Sequence, residues 1–146
     1  MRSVIDIVDL TAAEIDGLIA TAEDIIANPA KYSEKCRGKK LATLFFEPST
    51  RTRLSFEAAM YELGGNVLGF ASADSSSATK GETVPDTVRV VGCYADIIAM
   101  RHPKEGAPLA ASMYSPVPII NAGDGGHSHP HRPLPTCLPS SVKRAG

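Results

Sequence analysis

Four short apolar runs constrain the fold more than anything else in this chain: residues 39–46, 66–70, 95–100 and 117–121. The first is continuously apolar rather than alternating, the pattern of a strand covered on both faces in a parallel sheet. Helix-length segments lie between them. Residues 52–63 read as a helix stopped by Gly64-Gly65, 82–94 as one that tolerates Pro85 in its first turn, and 107–113 as a short third. Ahead of the first run, Thr11 and Glu14 form a capping box. Ile15, Leu18, Ile19, Ala22, Ile25 and Ile26 then recur on one helical face until Asn28-Pro29 ends it. Residues 71–80 are small, polar and without period, so a surface loop is expected there. Strands alternating with helices predict an α/β fold: a three-layer domain with a mainly parallel, four-stranded central sheet.

In such sheets ligands bind beyond the C-terminal ends of the strands. Polar clusters follow Phe46, Met100 and Ile120, at three such ends, and can meet in one crevice. The first is the richest. Phe45-Phe46-Glu47-Pro48-Ser49-Thr50-Arg51-Thr52-Arg53 reads as a buried strand turning directly into a helix. The free amides and positive dipole end of a helix's first turn form a ready anion site. Ser49, Thr50 and Thr52 add hydroxyl donors, and Arg51 a planar fork suited to phosphate. The glycine and lysine pattern of a nucleotide P-loop is missing, so the expected ligand is small and phosphorylated. A helix cap with incidental charges is the plainer reading of Ser-Thr-Arg-Thr taken alone.

Composition narrows the field. A chain of 146 residues fits one domain, and a net charge of −1 with few aromatics gives no field or stacking surface for nucleic acid. Cys36, Cys93 and Cys137 are odd in number and widely spaced, against a disulfide framework or a four-thiolate zinc site. No apolar run approaches the ~20 residues needed to span a bilayer, and the first residues lack a signal peptide's apolar stretch. The expectation is a cytoplasmic protein with no membrane or nucleic-acid partner.

The run from Phe46 to Arg53 closely resembles the carbamoyl-phosphate signature of the aspartate/ornithine carbamoyltransferase family. Ser76-Ser77-Ala78-Thr79-Lys80-Gly81-Glu82-Thr83, Met100-Arg101-His102-Pro103 and Asn121-Ala122-Gly123-Asp124-Gly125 follow in the family's order and spacing, from about residue 5 to 130. The last resembles the aspartate branch, in which carbamoyl transfer from carbamoyl phosphate to L-aspartate serves pyrimidine synthesis. The resemblance implies that Ser49, Thr50, Arg51 and Thr52 bind phosphate, Arg51 neutralising charge on the leaving group. It implies that Arg101 reaches phosphate and carbonyl, and that His129 donates to the carbonyl oxygen. Ser76 and Lys80 would enter the site of an adjacent subunit in a homotrimer, and regulatory subunits are possible partners. Neither a metal nor an organic cofactor is implied. His102 reads as structural, Glu47 as an ion-pair partner of Arg51 or Arg53, and Asp124 as a turn former.

The family's pattern then breaks. Residues 131–146 form an aberrant, proline-rich tail, where the family has Thr-Gln and an amphipathic helix after His129-Pro130. A one-nucleotide shift of reading frame after Pro130 explains this. Codons CAC AGA CCC TTA CCG ACC TGC TTA CCA TCA encode His131 to Ser140 and, preceded by A, read Thr-Gln-Thr-Leu-Thr-Asp-Leu-Leu-Thr-Ile. This is a hypothesis, and a gene without that hidden register would sink it. The expected organisation is thus a carbamoyl-phosphate-binding domain over 1–130, the tail, and an absent aspartate-binding domain, leaving a truncated chain of little or no activity alone. An ornithine-type fragment is the nearest enzyme alternative. A non-catalytic phosphate-binding module that modulates full-length subunits is another.

Overall fold

The structure, a computed structural model, describes residues 2–125, apart from the side chains of residues 77 and 78. Thr11 opens the first helix as a complete capping box. Its hydroxyl accepts the Glu14 N–H, and the Glu14 carboxylate accepts the Thr11 N–H at 2.8 Å. Helix α1 runs Ala12–Ala27, is capped by Asn28, and hands over to a single turn, α2 (Pro29–Tyr32). Then follow β1 (Lys40–Phe45), α3 (Thr50–Glu62), β2 (Asn66–Phe70), α4 (Val84–Gly92), β3 (Ile97–His102), α5 (Ala107–Ser112) and β4 (Ile119–Asp124).

The four strands form one all-parallel sheet in the order β2-β1-β3-β4. Successive strand residues face opposite sides, which sorts the core into two layers. Ala42, Leu44 and Phe46 with Ile98 and Met100 pack toward Val88 of α4 and Ala111 of α5. Leu41 and Ala99 pack toward Met60 of α3, with Phe56 and Val67 around them. Leu44, Phe45, Ile98, Met100, Ile119 and Val88 are almost wholly excluded from solvent, each worth about 1.5–3 kcal/mol of burial. Because α3 lies on one face and α4 and α5 on the other, the connections diverge between β1 and β3. That switch point is where an open α/β sheet leaves a crevice. Among the described residues no helix is long and apolar enough to cross a membrane.

The outer edge of β4 is covered by the N-terminal segment. The Val4 N–H donates to the Ile119 carbonyl at 2.8 Å, and the Asn121 N–H to the Val4 carbonyl at 2.9 Å. At its end α3 closes in a Schellman motif, with Gly65 N–H on Met60 O and Gly64 N–H on Tyr61 O. Gly64 takes the left-handed φ of 80° that this motif requires.

Several expectations need correction. Residues 71–80 are not plain loop: Ala73–Ser75 and Ser77–Lys80 are 3-10 turns. The first is held by the Ser75 hydroxyl on Ser72 O and the Ser76 hydroxyl on Ala73 O. β3 continues through Arg101 and His102, and β4 through Gly123 and Asp124, past the points where the apolar pattern stops. Asp124 is therefore no turn former. It is a buried strand residue whose carboxylate accepts the Gly106 N–H at 3.0 Å. The 131–146 tail lies outside the described residues.

Candidate functional site

The site is built where β1 ends. Phe46 is anchored by its N–H on the Arg101 carbonyl at 2.8 Å, and it packs edge-on against Phe70 and tilted against His102. After this fixed point the chain turns through Glu47-Pro48-Ser49 into α3. Ser49 is the N-cap residue, yet its hydroxyl donates to Thr52 Oγ1 at 3.0 Å and leaves the helix without a side-chain cap. The contrast is with the two other helices of eight or more residues, since the short α2 and α5 also lack a side-chain cap and a first-turn acid. At α1 and α4 a threonine cap is joined by an acid in the first turn, Glu14 and Asp86. The first turn of α3 has no acid, and carries Arg51 and Arg53 instead. Its positive end is uncompensated by any side chain of its own. Arg51 and Thr50 are exposed, whereas Ser49 and Thr52 are half-buried. Arg51 forms no ion pair among the described residues.

Arg101 comes to this turn through the sheet. It is the register partner of Phe45, and its odd position in β3 puts it on the α3 side, opposite Ile98 and Met100. Its side chain is only 18% exposed. Nη1 donates to the Ala122 carbonyl at 3.3 Å, and Nη2 lies 3.0 Å from Glu47 Oε2. That last contact is an ion pair by distance, but it is not aligned as a hydrogen bond: Oε2 and the buried Arg101 Nε both lack a hydrogen-bond partner among the described residues. The guanidinium thus keeps donor capacity unspent at Nε. Glu47 pairs with Arg101, not with Arg51 or Arg53. Arg53 is instead tied to Glu57 at 3.2 Å, and Glu57 accepts the Thr43 hydroxyl at 2.9 Å.

His102 faces the other side of the sheet. Its Nδ1 accepts the Lys104 N–H at 2.9 Å, so the neutral ring carries its proton on Nε2. Burial pushes its pKa below the usual histidine value.

Of the residues singled out from sequence, Ser49, Thr50, Arg51 and Thr52 share the turn into α3, and Arg101 pairs with Glu47, two residues before Ser49. Ser76 caps the first 3-10 turn after β2, and Lys80 ends the second. The Ser76 hydroxyl bonds within its own turn, and Lys80 is exposed without an ion pair among the described residues. His129 lies outside the described residues. A cleft of about 430 Å³ opens elsewhere, on the β2 edge, lined by Arg53, Glu57, Tyr61, Phe70 and Ser75. Arg53 and Glu57 satisfy each other there, so the uncapped turn, not this cleft, is the better anion site. Sequence reasoning missed Glu47 and the Ala122 carbonyl as the groups that hold Arg101. Strand register was the signal that could have found them.

Residues 2–136 match the family model "Aspartate/ornithine carbamoyltransferase, carbamoyl-P binding domain", a span reaching beyond the motif-based limits of 5 and 130. The aspartate carbamoyltransferase catalytic subunits of Lachnoclostridium phytofermentans and Clostridium acetobutylicum are 65% and 61% identical over 94% of the chain. The chain spans 45% of each of those relatives. Among solved structures, the catalytic subunit of M. jannaschii aspartate transcarbamoylase superposes with a TM-score of 0.84 at 49% identity. That match covers 92% of this chain and 44% of the other. The Trypanosoma cruzi aspartate transcarbamoylase in complex with carbamoyl phosphate and aspartate superposes at 0.85 and 37% identity, covering 91% and 44%.

Proposed function

The chain belongs to the aspartate/ornithine carbamoyltransferase family through its carbamoyl-phosphate-binding domain, and on that premise we propose that the α3 turn and Arg101 hold carbamoyl phosphate for transfer to L-aspartate. The observation that carries this reading is the uncapped, acid-free first turn of α3, with Arg101 paired to Glu47 just before it and its Nε unpartnered among the described residues. The phosphate takes the first-turn amides, the hydroxyls of Ser49, Thr50 and Thr52, and the Arg51 fork. Arg101 exchanges its offset contact with Glu47 for the phosphate and the carbamoyl oxygen.

Transfer then needs positioning and charge stabilisation. The aspartate amine attacks the carbamoyl carbon, charge builds on the carbonyl oxygen, and the carbon–oxygen bond to phosphate breaks. The bond's electron pair leaves with phosphate, and the proton lost by the amine passes to that departing phosphate. Arg51 and Arg101 stabilise the charge on phosphate and carbonyl oxygen, and His129 supplies a second donor to that oxygen. Ser76 and Lys80 act in the site of a neighbouring copy in a trimer. Recognition of aspartate is assigned to the part of the relatives outside the match. Residues 1–146 by themselves bind carbamoyl phosphate.

Equilibrium dialysis with carbon-labelled carbamoyl phosphate, followed by addition of aspartate, tests this. Retained label without carbamoyl aspartate is the expected result, and absence of retained label would sink the proposal.

A further inference from the structure

The family signature does not account for one piece of architecture. Between β3 and β4 the register shifts: Met100 pairs with Asn121, but His102 pairs with Asp124. Two residues of β4, Ala122 and Gly123, thus oppose the single residue Arg101. This is a β-bulge, a device that re-aims a side chain and leaves ladder groups unpaired. Here the consequences are bonded in detail. The Gly123 N–H, removed from the ladder, donates to Asn121 Oδ1 at 2.8 Å. Asn121 is fully buried, and its Nδ2 donates to the Ile5 carbonyl at 3.0 Å, tying the bulge to the N-terminal edge segment. Gly123 has φ 129°, a conformation that glycine takes without strain. The carbonyl between these braced residues, Ala122 O, is the one that receives Arg101 Nη1. Asp124 fixes the far side of the bulge through Gly106.

Resting on the reading that Arg101 serves carbamoyl phosphate, we propose that the braced bulge at Ala122–Gly123 sets the aim of Arg101, with Asn121 as its positioning residue. Asn121 touches no ligand. It acts by presenting the Ala122 carbonyl at a fixed place, so that one Nη is spent there and the rest of the guanidinium faces the α3 turn. A side chain without the Oδ1 acceptor orphans the buried Gly123 N–H, and the bulge must relax to satisfy it.

The test compares Asn121→Ala, Gly123→Ala, Asn121→Ser and a control, Val88→Ala, in the 146-residue chain. Val88 is buried against the opposite face and touches neither bulge nor turn. Two quantities are read: the Arg101 guanidinium resonance of ligand-free protein by nitrogen-15 NMR, assigned with Arg101→Lys, and the dissociation constant for carbamoyl phosphate. Asn121→Ala and Gly123→Ala should each move the Arg101 resonance toward its solvent-averaged position and weaken binding about tenfold or more. Asn121→Ser, which keeps a shorter acceptor, should recover part of both. Val88→Ala should lower thermal stability without moving the resonance. If both bulge variants keep the resonance in place and bind within about twofold of Val88→Ala, the proposal fails. If the unaltered chain binds no carbamoyl phosphate, the functional reading fails, while the resonance still decides whether the bulge aims Arg101.

Discussion

Glu47 occupies Arg101 in the ligand-free protein, so substituting it should tighten anion binding. Two unit charges about 4 Å apart interact by about 4 kcal/mol at an effective dielectric of 20. That gross figure is heavily discounted here. Glu47 is 36% exposed, the pair at 3.0 Å is not aligned as a hydrogen bond, and partly exposed pairs contribute at most about 1 kcal/mol net. Glu47→Gln removes that competing contact and a negative charge beside the phosphate, two effects of the same sign. An energy of about 1 kcal/mol corresponds to roughly fivefold in affinity. Calorimetric titration with orthophosphate should give a dissociation constant about fivefold lower for Glu47→Gln than for the unaltered chain, the difference shrinking in high salt. Equal or weaker orthophosphate binding by the variant would refute the view that Glu47 holds Arg101 in reserve.

Arg51→Ala should weaken phosphate binding about tenfold or more while leaving the thermal midpoint nearly unchanged, because Arg51 is exposed and makes no ion pair among the described residues; calorimetry and a melting curve check both halves. Gly64→Ala should destabilise the fold by about 2 kcal/mol or more in urea unfolding, since a Cβ there would lie 2.3 Å from Ser33 O at a φ of 80°. His102 has a folded pKa below its unfolded value because burial disfavours the charged ring. The unfolded chain therefore binds more protons, and His102's contribution to stability is complete above about pH 6.5 and lost as pH falls toward the folded pKa. His102→Gln should flatten that part of the stability profile measured by denaturant unfolding.

The fold was legible because its strands are apolar where they are buried on both faces, and because Thr11, Asn28 and Gly64 mark helix ends by local chemistry. The direct passage from β1 into α3 was legible for the same local reason. Strand ends were harder. Arg101, His102 and Asp124 are polar and lie beyond the apolar pattern, yet ladder and side-chain hydrogen bonds carry the strands on. Glu47 was paired with the arginines nearest in sequence, whereas the parallel register of Phe45 with Arg101 brings a residue 54 positions away. The turns of residues 73–80 have no period to read, because serine hydroxyls bonding to nearby carbonyls hold them.

Calorimetric titration of the 146-residue chain with carbamoyl phosphate tests the central claim most directly. The account predicts saturable binding at one site per chain, abolished or severely weakened in Arg101→Met. Absence of binding, or binding that Arg101→Met leaves intact, would contradict it.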